Sequence, residues 1–409
     1  MRNRFGKTLF WVFIAVVSLS VAILLGWWKE IRTMSSFKPV EGNPYLYFVD
    51  YQASYDLDEM VSYDVDKYGE LLGYVIARGS KIVSPGRIIA RMEKQLASFR
   101  VGGCTSFHAE KSGGGGFLFG RNYDFYKNPT LVTLSRPKKG YASIAVSDMS
   151  FIGYSLQRLP TGFLRRINCL AAIYAPLDGM NEKGLCASIM ALPHKLASQQ
   201  DTPRHDVGTS TIVRLILDRC ATVKEAIALL ETVDVRHDIT FKAAFHYMVA
   251  DATGDCAVIE FDPQDDWNTL VVRKSEGGNH FQVTNHLLAP AYLTSEPDPA
   301  VGNTGSRSWW RLQVVQDFLK ERGGRISSEE ASECLSRVRW VDLPTAGNLT
   351  PGAQFHLQFK GLRAHLVEQP DKEFEDTQYS LVYDQSRITL SLRNWNDYDT
   401  AYNFSLNGK

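Results

Sequence analysis

Cys104 stands behind two glycines in 101-VGGCTSFHAEKSGGGGFLFGRNYDF-125, and the same stretch carries Arg121 and Asp124. A cysteine attacks as its thiolate, so a nearby cation must lower its pKa or a base must take its proton. The stretch offers both kinds of help. If TSF and FLF pair across the turn KSGGGG as a hairpin, Arg121 and Asp124 come near the cysteine's end of the first strand. Arg121 then holds the thiolate by charge, while Asp124 needs a cationic partner of its own. A cut between Gly103 and Cys104 supplies that partner. The new α-amine, with an ordinary pKa of about 8, sits on the same residue as the thiol, can act as its general base and can be oriented by Asp124. Gly102 and Gly103 suit such a cut, because a scissile peptide attacked by the following thiol needs a backbone geometry that bulkier residues resist.

Other readings of these residues stay open at this level. Cys104 alone reads as a buried structural thiol, and Arg121 with Asp124 as a structural ion pair. His246 or His286 would make a Cys-His dyad with Cys104, as in papain-like proteases, although no local protease signature surrounds the cysteine. A catalytically silent, anchored binding module is a rival from another class. Gly113 to Gly116 lack the spacing GxGxxG and precede a strand, so they form a flexible turn and not a phosphate cradle. The histidines and cysteines show no CxxC or HExxH pairing and there is no GK[ST], so neither metal nor cofactor is expected. Cysteines 169, 186, 220, 256 and 334 have no framework spacing and read as small buried residues.

Holding such a site takes sheets and the helices that cover them. Short β-like runs follow Cys104: FLFGRNYDF, TLVTLSRP, YASIAVSDM and LCASIMALP. Thr209 to Arg219 reads as a helix, and a second opens at the capping box 222-TVKE-225. AAFHYMVADATGDCAVIEFD reads as two strands turning at Thr253-Gly254, with TLVVRKS and HFQVTNHLL continuing that sheet. A helix at 307-RSWWRLQVVQDFLKER-322 ends at Gly323-Gly324, another begins near 327-SSEEASECLSRV, and 379-YSLVYDQSRITLSLR-393 makes a hairpin around Asp384-Gln385-Ser386. Strands and helices in alternating blocks predict an α+β layered fold.

At 409 residues, with 44% apolar and 22% charged, the chain supports a sizeable core. Its 45 basic and 45 acidic residues cancel, which leaves no field that would draw nucleic acid. The first 32 residues differ in kind. Arg2, Arg4 and Lys7 precede an uncharged run from Thr8 to Trp28, long enough as a helix to cross a hydrocarbon core of about 30 Å. The basic flank predicts a cytoplasmic N-terminus and an extracytoplasmic catalytic part, with a cleaved signal peptide and secretion as the rival. The chain thus divides into an anchor or signal segment (1–32), a propeptide-like segment (33–103) with a helix expected over 86–100, and a catalytic domain (104–409).

Cys-Thr followed by GRNYD closely resembles the opening of the choloylglycine hydrolase and acyltransferase group of N-terminal-nucleophile (Ntn) hydrolases. That group includes penicillin V acylase, bile salt hydrolase, the fungal penicillin acyltransferase and acid-ceramidase-like amidases. The likeness continues in the family's order through 178-DGMNEKGL-185, 246-HYMVADATGDCAVIE-260, 283-VTNHL-287, 305-GSRSWWR-311 and 377-TQYSLVYD-384, and so covers residues 104 to 409. It implies a four-layer αββα sandwich, cleavage after Gly103, and Cys104 as nucleophile. It further implies Arg121 beside the thiol, Asp124 on the α-amine, Asn285 as a substrate-positioning and oxyanion residue, and Arg307 as a second active-site arginine. Asn181 shapes a turn between strands. The backbone N–H of Ala191 is an oxyanion candidate; the bile-salt branch has asparagine there and the penicillin branch tyrosine, so this side chain points to neither substrate. The long leader points toward the acyltransferase and ceramidase-like branches. The implied substrate is a small N-acyl amide, R-CO-NH-R′, opened through an acyl-cysteine that either water or an amine resolves, without a cofactor. The propeptide-like segment and a membrane, through residues 8–28, are the implied partners.

Overall fold

The computed structural model describes residues 10–15, 17–18, 21, 24–62, 103–192, 200–236, 244–265, 267–275, 279–288, 305–340 and 376–407. Helix α1 (Trp28–Ser36), strands β1 (Lys38–Val40) and β2 (Asn43–Tyr51) and helix α2 (Leu57–Ser62) precede the cysteine. The chain then forms β3 (Gly103–Lys111), β4 (Phe117–Phe125), β5 (Thr130–Ser135), β6 (Ser143–Asp148), a 3-10 helix (Leu164–Tyr174), β7 (Asp178–Asn181) and β8 (Cys186–Leu192). Next come β9 (His205–Gly208), α3 (Thr209–Arg219), α4 (Val223–Leu230), β10 (Val233–Arg236), β11 (Ala244–Ala250), β12 (Cys256–Phe261), β13 (Leu270–Lys274) and β14 (His280–Val283). Helix α5 (Gly305–Glu321), β15 (Arg325–Ile326), helix α6 (Ser328–Arg337), β16 (Asp376–Asp384), β17 (Thr389–Asn394) and β18 (Tyr402–Ser405) complete it.

Alternation along the cysteine strand explains the layers. Side chains of a strand point by turns to opposite faces. Ser106 faces inward, its hydroxyl 3.3 Å from that of Ser188 on β8, and Cys104 shares that face. Phe107 and Ala109 face outward and pack with Val315, Phe318 and Leu319 of α5 and Leu335 of α6. On β4 the outward Leu118 joins the same cluster, and Asn122 donates to the Leu335 carbonyl at 2.9 Å. The sheet holding β3 runs β14-β3-β4-β16-β17-β18, with β15 parallel beside β3. The opposing sheet runs β1-β2-β5-β6-β7-β8-β11-β12-β13, where β2 and β5 are parallel. Helix α3 covers β7 and β8, and α4 covers β11 and β12. The order through the described residues is helix, sheet, sheet, helix, the α+β layering expected.

Several local readings meet the structure. β11 and β12 pair antiparallel, and β16 and β17 form the hairpin. Thr222 Oγ1 accepts from the Glu225 N–H at 3.2 Å, while the Glu225 carboxylate reaches back to the Ala221 N–H. Asn181 shapes its turn, accepting from the N–H groups of Lys183 and Leu185. One reading is corrected: only β13 continues the β11–β12 sheet, whereas β14 crosses over and pairs with β3. Both sheets present apolar inner faces, so alternation alone does not say which of them a strand joins.

The described part of the segment before the cysteine, through residue 62, is built into the sandwich. β2 lies between β1 and β5 with Leu46 and Val49 wholly buried, and Phe37 and Met34 pack on the same core. The helix expected over 86–100 lies outside the described residues. Among the described residues no helix is long and apolar enough to cross a membrane; residues 8, 9, 16, 19, 20, 22 and 23 of the span lie outside them.

Candidate active site

Strand register assembles the first part of the site. Pairing of β3 with β4 sets Gly103 opposite Asp124, Cys104 opposite Tyr123 and Ser106 opposite Arg121. Cys104 is 4% exposed, and Arg121 Nη2 lies 3.7 Å from its sulfur. Arg121 is itself neutralised from the opposing sheet, its Nε 2.9 Å from Asp178 Oδ2. Asp178 also accepts from the hydroxyls of Tyr379 and Tyr383, at 2.7 and 2.9 Å. All four side chains are buried. A buried pair like this fixes the guanidinium's direction while leaving Nη2 for the sulfur.

Asp124 occupies the other face of β4. Its Oδ1 accepts from Thr377 Oγ1 at 2.6 Å, and its Oδ2 lies 3.6 Å from Arg311 Nη1. A β-carbon built on Gly103 would stand 2.7 Å from that Oδ2. This corrects the reason for the glycine. Gly103 is not among the residues with left-handed backbone; it is needed for space, because a side chain there collides with the carboxylate.

Asn285 enters from β14, two residues past Val283, whose partner on β3 is Ser106, and so arrives beside Cys104. Its Oδ1 accepts from the Cys104 N–H at 2.5 Å and from Arg311 Nη2 at 2.7 Å. Its Nδ2 donates to the Ala191 carbonyl at 2.7 Å. Residue 191 thus adjoins the site, and the contact found there is through its carbonyl. Arg311 also donates to the Cys104 carbonyl and, at 2.8 Å, to Thr105 Oγ1. Arg307 lies in the first turn of α5, and its side chain is outside the described residues. The guanidinium on Cys104 belongs to Arg311, one helical turn further along.

Charge around the sulfur divides. Burial pushes the Cys104 thiol up, Asp124 adds to that, and Arg121, Arg311 and Asn285 pull it down. Burial wins, so with the preceding peptide intact the thiol stays protonated and needs a base. His246 does not serve: its ring contacts Glu260 and the Thr284 carbonyl. Nδ1 of His286 lies against the hydroxyls of Ser308 and Thr284.

The structure therefore brings together Cys104, Gly103, Arg121, Asp124, Asn285 and the backbone of Ala191. Sequence reasoning missed Asp178 and Arg311, although both stand in quoted motifs. For Arg311 the available signal was its spacing from Arg307, four residues that place both on one helix face. Asp178 carried no signal, since its partner lies on a strand of the other sheet.

Two facing sheets clad by helices, with the cysteine at the head of a strand, define the Ntn-hydrolase fold. A mutant of the conjugated bile acid hydrolase from Clostridium perfringens superposes with a TM-score of 0.50 at 16% identity, over 74% of this chain and 92% of that one. A second variant of that enzyme gives 0.50 at 15%, over 74% and 93%. Penicillin V acylase from Agrobacterium tumefaciens gives 0.34 at 16%, over 71% and 83%. Residues 162–338 match the family model of acyl-coenzyme A:6-aminopenicillanic acid acyl-transferase. No curated protein matches the sequence. Family model and fold agree with the choloylglycine hydrolase and acyltransferase family read from the ordered motifs.

Proposed function

We propose that the protein hydrolyses a linear, non-peptide amide through an acyl-cysteine intermediate, after autocatalytic cleavage between Gly103 and Cys104. The observation that carries this reading is the convergence on Cys104 of Arg121 at the sulfur, Asn285 at the N–H and Arg311 at the carbonyl, with Asp124 opposite the peptide to be cut. Once freed, the α-amine takes the thiol proton and the sulfur attacks the substrate carbonyl. The C–N bond breaks as the amine passes that proton to the leaving nitrogen, and water then releases the acid. A donor aimed at the developing oxyanion contributes on the order of 3 kcal/mol, and we assign that part to the Asn285 amide and the backbone N–H of Ala191. Arg307 keeps the part the resemblance implies, that of a second active-site arginine. The family model favours a second reading of the same acyl-enzyme, in which an amine replaces water and the product is a new amide.

Residues 8–28 anchor the chain with its catalytic part outside the cytoplasm. Supporting this, Phe10, Trp11, Phe13, Leu24 and Leu25 are helical and exposed. Alkaline extraction of membranes should leave the uncut chain in the pellet; recovery in the supernatant contradicts the anchor. For the chemistry, the protein is incubated with a panel of N-acyl amides and quenched in acid. An acyl mass on Cys104, absent from Cys104→Ala, is expected. Turnover by Cys104→Ala at the wild-type rate contradicts the reading, and added amine separates transfer from hydrolysis.

A further inference from the structure

His246 on β11 and Glu260 on β12 stand side by side, one step beyond the paired Tyr247 and Ile259, and both are buried. His246 Nε2 lies 2.9 Å from the Thr284 carbonyl oxygen, and Nδ1 lies 3.2 Å from Glu260 Oε1. A carbonyl oxygen only accepts, so Nε2 carries a proton. At Nδ1 a bare lone pair would face a carboxylate lone pair and be repelled, so a second proton stands between ring and carboxyl. Glu260 Oε1 also accepts the Leu288 N–H at 2.8 Å, and Oε2 faces Arg273 Nε of β13 at 3.4 Å. Both donors favour the ionised carboxylate. Burial lowers the pKa of the neighbouring His286, and both members of the pair act on it as well, His246 lowering it further and Glu260 raising it.

The Thr284 carbonyl belongs to the peptide that leads into Asn285. That peptide is held at both ends: its C=O by His246, and its N–H by Ser308 Oγ of α5 at 2.8 Å. With the peptide plane fixed, the Asn285 Cα is held beside Cys104, from where the side chain's own bonds carry Oδ1 to the Cys104 N–H. We infer that His246, doubly protonated against Glu260, is a positioning residue that aims Asn285 at the nucleophile. The inference rests on the reading of Cys104 and Asn285 given above. A charge-assisted donor suits the task, since such bonds are shorter and stronger than neutral ones. Neither residue touches Cys104, which explains why a histidine in this chain can serve catalysis without forming a Cys-His dyad.

The test uses the full chain. A misplacement of about 1 Å at a reacting centre can cost about a hundredfold in rate. His246→Leu should therefore lower kcat roughly ten- to a hundredfold and slow the cut at Gly103 while moving KM less than about threefold. Glu260→Gln, whose amide can donate to a neutral ring that keeps its Nε2 proton, should lose less. The double variant should lose no more than His246→Leu. Because His246→Leu can fail by not folding, a second measurement stands beside it. Nitrogen-15 spectra of histidine-labelled Cys104→Ala should show one buried imidazole with protons on both nitrogens, reduced to one proton in Glu260→Gln. A folded His246→Leu with wild-type kcat and cutting overturns the positioning role, and a neutral ring in Cys104→Ala overturns the ion pair. The spectrum needs no turnover, so failure of the amidase reading stays distinct from failure of this one.

Discussion

At the scale of single residues, space and charge around Cys104 set the outcome. Gly103→Ala would put a β-carbon 2.7 Å from Asp124 Oδ2, so the strand must shift before the thiol can reach the peptide. Cutting should slow at least tenfold, on the order expected for a displaced reacting group, as followed on gels during expression in a cell-free system. Asp178→Ala leaves the Arg121 guanidinium buried without its carboxylate, which costs about 3–5 kcal/mol. Urea unfolding of Cys104→Ala with and without this change measures that loss; an unchanged midpoint contradicts the pairing. The closeness of Cys104, Arg121 and Asp124 was legible in the sequence because one short hairpin carries all three. Asp178 was not, because a pairing that reaches across two sheets leaves no local spacing to read, and Arg311 was signalled only by its four-residue spacing from Arg307.

At the scale of elements, alternation and capping made the strands and helices readable, and their partners were hidden. β14 reads as one more strand of the β11–β13 sheet, yet it closes the other sheet beside β3 and so delivers Asn285 to Cys104. β3 itself carries a second buried group. The His108 ring accepts burial at the cost of its charge: its pKa is lowered to about 4 by desolvation, against a 3.0 Å contact with Gln385 that pulls it back. Because the unfolded chain takes the proton first, at about 6.5, this contribution is whole above that pH and is lost as pH falls toward 4. The shift amounts to about 3 kcal/mol, at about 1.4 kcal/mol per unit. Urea midpoints of wild type and His108→Gln should therefore converge as pH falls from 6.5 to 4. A gap that stays constant over that range contradicts the account.

At the scale of the whole molecule, the described residues before the cysteine are a structural part of the sandwich. Leu46 and Val49 of β2 are wholly buried between β1 and β5, and each such side chain contributes about 1.5–3 kcal/mol. Tyr51 donates to the Leu170 carbonyl at 2.9 Å, and Arg166 Nη1 donates to the Met34 carbonyl at 3.3 Å. After the cut the two pieces should therefore elute together in gel filtration and separate only in denaturant. Leu46→Ala, at a cost of about 2–5 kcal/mol, should loosen that association. The sequence showed where the segments change character; it did not show β2 inside the sheet that faces the cysteine's own, since parallel pairing with β5 joins residues far apart in the chain. The most direct measurement is intact mass with N-terminal sequencing of protein that turns over substrate. Two associated chains are expected, the second beginning at Cys104 with a free amine. A fully active single chain, its Gly103-Cys104 peptide whole, would contradict the account at its centre.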